Sequence, residues 1–387
     1  MIVYDKTKLH NLFIKEQVGK VLSRNILSPS EASAIVQAHP VGLYSPGWIA
    51  RFGLFIATSF GLSSAMGMYM MIFMSSEVES NKLIGLLIFI FGAAAWYCGE
   101  IFIKKNAHFR SGVDDALLYG TVGAIMGGLV QMLNASETIF FLMAACIGML
   151  AVLRYNDRIM VLMSLVGIGG FVFKFSFFLG GWAKALLPIE LFLVYSALFF
   201  GIRQSRKKTY DIYEASKQMS EVVSLILMYV AVNYYVVREA SVELMDLSLK
   251  AGQDIPLGWL FWMLTGIMPL ACFYFGVRKN NIMLLRVAAL FTAATICTIR
   301  YYYHVLPVEV AMLLGGIILI AIGWWLLVYL KEGKGGFVSH KTTPEDEAMK
   351  QLESLVIAES FHAAPQSQTA DRFGGGSFGG GGATGDY

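Results

Sequence analysis

Charged side chains are scarce in this chain: Asp, Glu, Lys and Arg make up 15% of its 387 residues, and hydrophobic residues 56%. A soluble domain carries about 25% charged residues. A deficit this large, sustained over this length, excludes an ordinary soluble enzyme. The wealth of apolar and aromatic residues also excludes disorder as the main state. Cysteine is equally sparse. Cys98, Cys146, Cys272 and Cys297 lie far apart inside apolar runs, with no CxxC or Cys/His spacing, so neither a disulfide framework nor a metal site is expected. Catalytic signatures are lacking too: there is no GxSxG, HExxH, Walker A sequence or GxGD aspartate pair. The glycine-rich end has no Lys-Ser/Thr and no following helix, so it is not a phosphate loop. No nucleophile–base pair can be named. The expectation is a protein that is not an enzyme and carries no cofactor.

What the chain has instead is apolar runs of membrane length. A bilayer core needs about 20 apolar residues per helix. Ten such runs are read, over residues 48–74, 82–103, 113–133, 138–153, 159–178, 187–202, 221–237, 256–276, 282–299 and 308–330. The segments between them fall into two sets. One set, which includes residues 1–47, holds seventeen Lys and Arg; the other holds six, counting Lys82 at a span edge and Lys174 within the fifth span. Cytoplasmic loops carry the excess of basic residues, and at no step of the alternation does a segment of the poorer set exceed its neighbours in the richer one. The fold class is therefore read as all-α: a polytopic transmembrane bundle of ten spans, with both termini cytoplasmic. The lipid bilayer is its first partner.

Residues 1–47 are too polar and too long to be a signal peptide. They read as two short helices. Ile14, Val18, Val21 and Leu22 share one face of the first. In the second, Ser28, Pro29 and Glu31 make a capping box with proline at the first helical position, and His39-Pro40 ends it. Two short amphipathic helices bury little alone, so their apolar faces are expected to dock on the membrane surface or on other cytoplasmic segments. The pair lacks a dense basic face, which argues against a DNA-binding helix-turn-helix and any nucleic-acid partner. The long loop 238–255 mixes charges with Val242, Leu244, Met245, Leu247 and Leu249 and predicts a short surface helix. Residues 331–387 form a third region. Thr343 can cap a helix over 344–361, and the glycine-rich end reads as a flexible tail. Partner proteins, where they bind, would meet residues 1–47 and 331–387.

Ionisable residues inside a membrane cost several kcal/mol unless paired or hydrated, so each is a functional candidate. Glu100 lies four residues before Lys104 and can pair with it. Asp114 and Asp115 open the third span, where carboxylates suit the positive helix end; a proton or cation site between helices is the other reading. Arg286 lies one turn inside the ninth span and can snorkel to the basic side. Arg300, fourteen residues on, falls within ~40° of the same face. It begins the densest polar and aromatic stretch, RYYYHVLPVE, which holds His304 and Glu309. One reading is an interfacial aromatic belt with an Arg300–Glu309 pair. The other is the mouth of an outward-facing binding site, which Lys174 and Glu190 can join. Gly120, Gly123, Gly127 and Gly128 stripe the third span and predict close helix packing, with Gly123-x-x-x-Gly127 as a GxxxG pair. Pro269 should kink the eighth span.

The leading helix pair, KLHNLFIKEQVGKVLSRNILSPSEASAIVQAHP, runs directly into the glycine- and serine-containing span WIARFGLFIATSFGLSSAMG. This layout resembles a family of bacterial polytopic predicted membrane proteins of unknown function. The likeness covers residues 1–330 in layout and about the first seventy-five in motif. It implies a multi-span bundle in the bacterial inner membrane and brings no catalytic or binding residues with it. The ending FGGGSFGGGGATGDY is similar to the tails of bacterial membrane proteins with TPM-type domains. The TPM domain itself is absent, so the tail implies no function. A non-enzymatic membrane platform is the functional expectation, with a transporter or channel as the alternative.

Overall fold

The computed structural model describes residues 2–23, 26–73, 80–206, 211–244, 253–279 and 281–303, with isolated helical positions between 310 and 324. Twelve helices occur among the described residues: α1 (Lys6–Leu22), α2 (Pro29–Ala38), α3 (Trp48–Phe73), α4 (Asn81–Asn106), α5 (Val113–Leu133), α6 (Glu137–Tyr155), α7 (Arg158–Leu179), α8 (Gly181–Ser205), α9 (Glu214–Val232), α10 (Tyr234–Glu243), α11 (Gly258–Arg278) and α12 (Ile282–Tyr302). Nine of them are long and apolar enough to cross a membrane: α3 to α9, α11 and α12. No strand is found among the described residues beyond an isolated bridge between Tyr44 and His108. The chain is all-α, as its composition implies. The predicted tenth span is described only at isolated helical positions between 310 and 324, and the helix at 344–361 and the glycine tail lie outside the described residues.

Local chemistry sets most helix boundaries. Asp5 accepts from Thr7 N and Lys8 N to start α1. Ser28 and Glu31 close the capping box at α2. The Ser28 hydrogen bonds hold the Glu31 carboxyl below its usual range. Its contribution to the cap is therefore present above the ordinary carboxylate range and is lost as pH falls through the lowered value. Ser136, Asp157 and Asn281 cap α6, α7 and α12 in the same way. Ala107, Asn134 and Asn156 end α4, α5 and α6 in the left-handed conformation, which satisfies the last carbonyls.

The spans pair as antiparallel hairpins: α4 with α5, α6 with α7, α8 with α9, and α11 with α12. One core joins α8 to α12 around Phe199, Tyr229, Val232, Phe261 and Phe291. A second joins Val3 to α4, α5, α6 and α7 through Ile103, Leu118, Ala151 and Met160. Val161, Leu165 and Val223 link the two halves. Helix α3 buries no residue and leaves Trp48, Phe52, Phe60 and Met71 exposed. This is the surface expected against lipid, where burial inside protein is not needed.

Glycines decide how closely the hairpins approach, but not all of those predicted. A Cβ on Gly123 or Gly127 would meet nothing within 4 Å, so this GxxxG pair is not a contact. The contact glycines of α5 are Gly120, where a Cβ would meet the Leu62 side chain of α3, and Gly128, where a Cβ would lie 2.8 Å from Gly85 O and Phe89 Cα. Opposite it, Gly85 and Gly92 of α4 meet the α5 backbone. In the next hairpin Gly148 and Gly167 play the same part, and Ser164 Oγ donates to Ala145 O at 3.1 Å.

Two spans differ from their expected limits by more than three residues. The sixth starts earlier, at Gly181 rather than 187, because Pro188 is accommodated inside the helix. The seventh, read as 221–237, instead ends at Val232, and α10 begins at Tyr234. Asn233 turns extended and its side chain accepts from Val236 N. Thr265 Oγ1 of α11 accepts from Tyr234 N at 2.9 Å. A polar neighbour thus replaces the helical partner of that N–H, which allows the break. The surface helix predicted within 238–255 is in part α10, which starts earlier and buries Tyr234, Val237 and Ser241.

The glycine contacts make opposite predictions for two alanine substitutions. Gly128→Ala forces backbone apart and should cost about 1–3 kcal/mol. Gly123→Ala adds a methyl in open space and removes helix-interior glycine, which should stabilise by roughly 0.5–1 kcal/mol. Melting of the two variants in detergent checks this; equal shifts would contradict the assigned interface.

Candidate functional site

The densest polar cluster lies at the end of the bundle that carries residues 2–44, here termed the proximal end. Val3 N donates to Arg154 O at 2.9 Å, which pins the leading segment to the end of α6. Tyr44 joins the same end: its N–H donates to Ala107 O at 2.9 Å and its carbonyl accepts from Phe109 N at 3.1 Å. Asn11 Nδ2 donates to Pro40 O at 2.8 Å. Ile14 and Val18 of α1 pack on Ala32 of α2. The helix pair therefore docks on protein, through its own partner helix and the span ends.

Glu100, Asp114 and Asp115 all fall at this end, each with its own partner. Lys104 Nζ lies 3.3 Å from Glu100 Oε2, the expected i,i+4 pair. Glu100 also takes a two-pronged contact from Arg154: Nε to Oε1 at 2.7 Å and Nη2 to Oε2 at 2.5 Å. Asp114 is buried and accepts from Arg110 N at 2.7 Å, Ser111 N at 2.8 Å, Ser111 Oγ at 3.1 Å and Tyr4 OH at 3.1 Å. It folds the preceding loop onto the start of α5 and ties Tyr4 there. Burial, and then the Asp114 charge, push the Tyr4 hydroxyl well above its usual range, so it stays a donor. Asp115 accepts from Arg51 Nε at 2.9 Å and Nη2 at 2.6 Å. Gly112, at φ +90°, lets the Arg51 carbonyl approach, because a Cβ there would overlap it.

These side chains frame a cavity of about 210 Å³ lined by Tyr4, Arg51, Arg110, Asp114, Asp115 and Arg158, among others. Asp157 accepts from Tyr119 OH at 2.9 Å as well as from Ile159 N and Met160 N. Beside the cavity Asn156 donates to Ile212 O at 2.6 Å and accepts from Ser216 Oγ at 2.5 Å. Buried Glu221 lies 3.2 Å from Arg206 Nη1, and Arg206 also pairs with Glu214. Sequence reasoning missed Tyr4, Arg51, Arg110, Arg154, Arg158 and Glu221. Their types gave a signal, since each is ionisable and Arg51, Arg154 and Arg158 stand in the end turns of spans, but their partners are 54 to 110 residues away for Arg154, Arg51 and Tyr4.

Among the described residues, the distal end does not gather the other candidates into one site. Lys174 pairs with Glu137 and lies near the Phe173 ring. Glu190 accepts from Ser176 Oγ at 2.5 Å. Tyr302 OH donates to Glu239 Oε1 at 3.1 Å, and Arg238 lies over the Tyr302 ring. Tyr301 and Tyr302 stack edgewise on Tyr235 and Tyr234. Arg300 is half-buried on α12, while His304 and Glu309 lie outside the described residues, and with them the predicted Arg300–Glu309 pair. Arg286 is exposed one turn into α12.

Between the two ends, the break at Asn233 organises a neutral polar network. Asn233 Nδ2 donates to Tyr229 OH at 3.0 Å and to Thr298 Oγ1 at 3.2 Å. Tyr229 OH lies 2.9 Å from Thr295 Oγ1. Thr295 Oγ1 donates to Thr265 O at 2.9 Å, the carbonyl whose helical donor Pro269 lacks. A cavity of about 370 Å³ borders this network, with Asn233, Cys297, Thr298 and Tyr301 in its wall. Among the described residues, no group of three or more His, Cys, Asp or Glu side chains is placed to hold a metal ion.

The Glu100–Arg154 contact is partly shielded, with side-chain exposures of 17% and 30%. A double-mutant cycle with Glu100→Gln and Arg154→Gln should give a coupling of about 1–2 kcal/mol in melting experiments. A coupling near zero would mean the fork does not hold α4 to α6. Comparisons with protein-family models, curated proteins and solved structures find no match to the chain, so the resemblance of its first seventy-five residues stands on those residues alone.

Proposed function

We propose that the chain is an integral protein of the bacterial inner membrane with ten spans and both termini in the cytoplasm. In this reading it is a non-enzymatic platform whose proximal end binds partner proteins. The observation that carries the reading is the docking of residues 2–44 on the span ends. Val3, Tyr4 and Tyr44 fix them to α4, α5 and α6, while Lys15, Glu16, Ser30 and Ser33 stay exposed. A polar surface held at a fixed position against the membrane is what a platform needs. The charge pattern supports the orientation: Lys104, Arg110, Arg154, Arg158 and Arg206 lie at or beside the proximal ends of the spans, as the positive-inside rule requires of a cytoplasmic face.

A transporter is the second reading, favoured by the break at Asn233. Discontinuous helices at membrane depth are tolerated where they are buried in protein or line a cavity, and transporters use them to build sites. The network here is neutral, and each of its named members has a protein partner, which favours a structural role.

Three measurements test these readings. In a background lacking native cysteines, Ser136→Cys should react with an impermeant thiol reagent added outside spheroplasts, and Ser33→Cys should not; the reverse pattern would invert the topology. A photo-crosslinker at Lys15 or Ser33 should give a discrete adduct in cells that purified protein alone does not form. No adduct at any exposed α1 or α2 position would remove the platform. With Cys297 as the sole cysteine, the platform reading expects silence toward the same reagent from outside. Reaction there would establish a water path to Asn233 and favour the transporter.

A further inference from the structure

We propose that the proximal cavity is a binding site for a phosphomonoester group. Three guanidinium groups, from Arg51, Arg110 and Arg158, and three carboxylates, from Asp114, Asp115 and Asp157, line it. The formal charges balance, but the hydrogen bonds do not distribute them evenly. Asp115 is held by Arg51. Asp114 is occupied by two backbone N–H groups, Ser111 Oγ and Tyr4 OH. Asp157 is occupied by two backbone N–H groups and Tyr119 OH. The carboxylates are thus satisfied without Arg110 or Arg158, and neither of these arginines forms an ion pair with a carboxylate among the described residues. Two cationic forks face one cavity with no anion between them.

Arg110 is the more unusual of the two. It is half-buried and its backbone sits at φ +49°, a left-handed conformation that a side chain of this kind rarely adopts. The Asp114 carboxylate holds that backbone by accepting the Arg110 N–H at 2.7 Å. The guanidinium carbon lies 5.2 Å from the Phe109 ring centroid. Burial, with the Arg158 and Arg51 charges nearby and Glu16 only partly offsetting them, pushes the Arg110 guanidinium below its usual range. A bound anion removes that penalty. Strain that aims a poorly compensated charge into a cavity is a functional pattern.

The ligand class follows from charge, geometry and depth. Two unpaired guanidinium groups match a dianion, and the planar fork matches phosphate oxygens. A phosphomonoester supplies both. The cavity volume of about 210 Å³ holds the phosphate and leaves the rest of a ligand outside. Arg51, Arg158 and Asp115 all stand in the first turn of their helices, level with the lipid headgroups of a spanned bilayer. Ile159 at the rim is 54% exposed, so the mouth opens beside the lipid-facing surface. The phosphate can therefore belong to a lipid such as phosphatidic acid or be free in the cytoplasm. This inference stands whether the chain is a platform or a transporter.

The test uses the purified full-length chain. Inorganic phosphate is titrated calorimetrically, and nanodiscs of phosphatidylcholine doped with phosphatidic acid are assayed for retained lipid by native mass spectrometry. The wild type should bind at least one probe. Retained phosphatidic acid identifies the lipid source, and phosphate binding without lipid retention identifies the free one. Arg110→Gln and Arg158→Gln should each weaken binding roughly tenfold or more, from the loss of a charge-assisted contact, and Arg286→Gln, on exposed α12 surface, should leave it unchanged. Should Arg110→Gln fail to fold, Arg158→Gln alone carries the test, because its exposed side chain holds nothing else among the described residues. Binding of neither probe by the wild type, or wild-type affinity in a folded Arg158→Gln variant, would overturn the proposal.

Discussion

A hydrogen bond that water cannot complete must be completed by protein, and this constraint shapes the chain more than any other. Inside hydrocarbon an unpaired backbone or side-chain group costs several kcal/mol. The break at Asn233 exists only because Thr265 Oγ1 receives the Tyr234 N–H. Pro269 is tolerated in α11 because Thr295 Oγ1 serves the carbonyl of Thr265 that proline leaves without its helical donor. Glu221, 1% exposed, is compensated by Arg206. Buried side-chain atoms without a hydrogen-bond partner among the described residues include Ser224 Oγ within α9, Glu214 Oε2 at its start and Asn11 Oδ1 in α1.

The second constraint is contact distance. Lipid tails are as apolar as leucine, so helices in a membrane gain little from burying leucine against leucine. Association then depends on backbones coming close enough for dispersion and hydrogen bonds to act. Gly85, Gly92 and Gly128 bring α4 to α5, and Gly148 and Gly167 bring α6 to α7. These tight hairpins hold the span ends in register. That register is what allows Arg154 to reach Glu100 and Tyr4 to reach Asp114 across long stretches of sequence.

Much of the architecture was legible in the sequence, and the reasons differ by element. Span limits such as 113–133 came from apolar run length, which one helix satisfies by itself. The Ser28–Glu31 capping box was legible because cap chemistry is local. The seventh span was misread because its apolar pattern runs on through Asn233; the signal for a break lay in Thr265, 32 residues away, which no periodicity reports. The glycine stripe of α5 was read correctly as a packing feature but assigned to the wrong pair. A GxxxG spacing puts two glycines on one side of a helix without saying which side meets a neighbour. The proximal site was half legible: Glu100, Asp114 and Asp115 stood out as charges in apolar runs. Arg51, Arg110, Arg154 and Arg158 did not, because basic residues at span ends are what the positive-inside rule expects anyway.

That last point bears on how such a protein divides its chemistry. Most of its charges lie toward the helix ends, where pairing is cheap, with Glu190 and Glu221 set further in, and the network around Asn233 is built from amides and hydroxyls alone. A route for ions or charged solutes through the bundle would need the opposite arrangement, with ionisable groups near mid-depth and water beside them. The polar groups of the Asn233 network are already engaged with one another, so a solute entering there would have to displace protein hydrogen bonds without charge to compensate it. At the proximal end the balance is reversed. The carboxylates are engaged, two guanidinium groups are not, and the surrounding backbone is held in place by Asp114. The end of the bundle, rather than its middle, is where the proposed phosphate site lies.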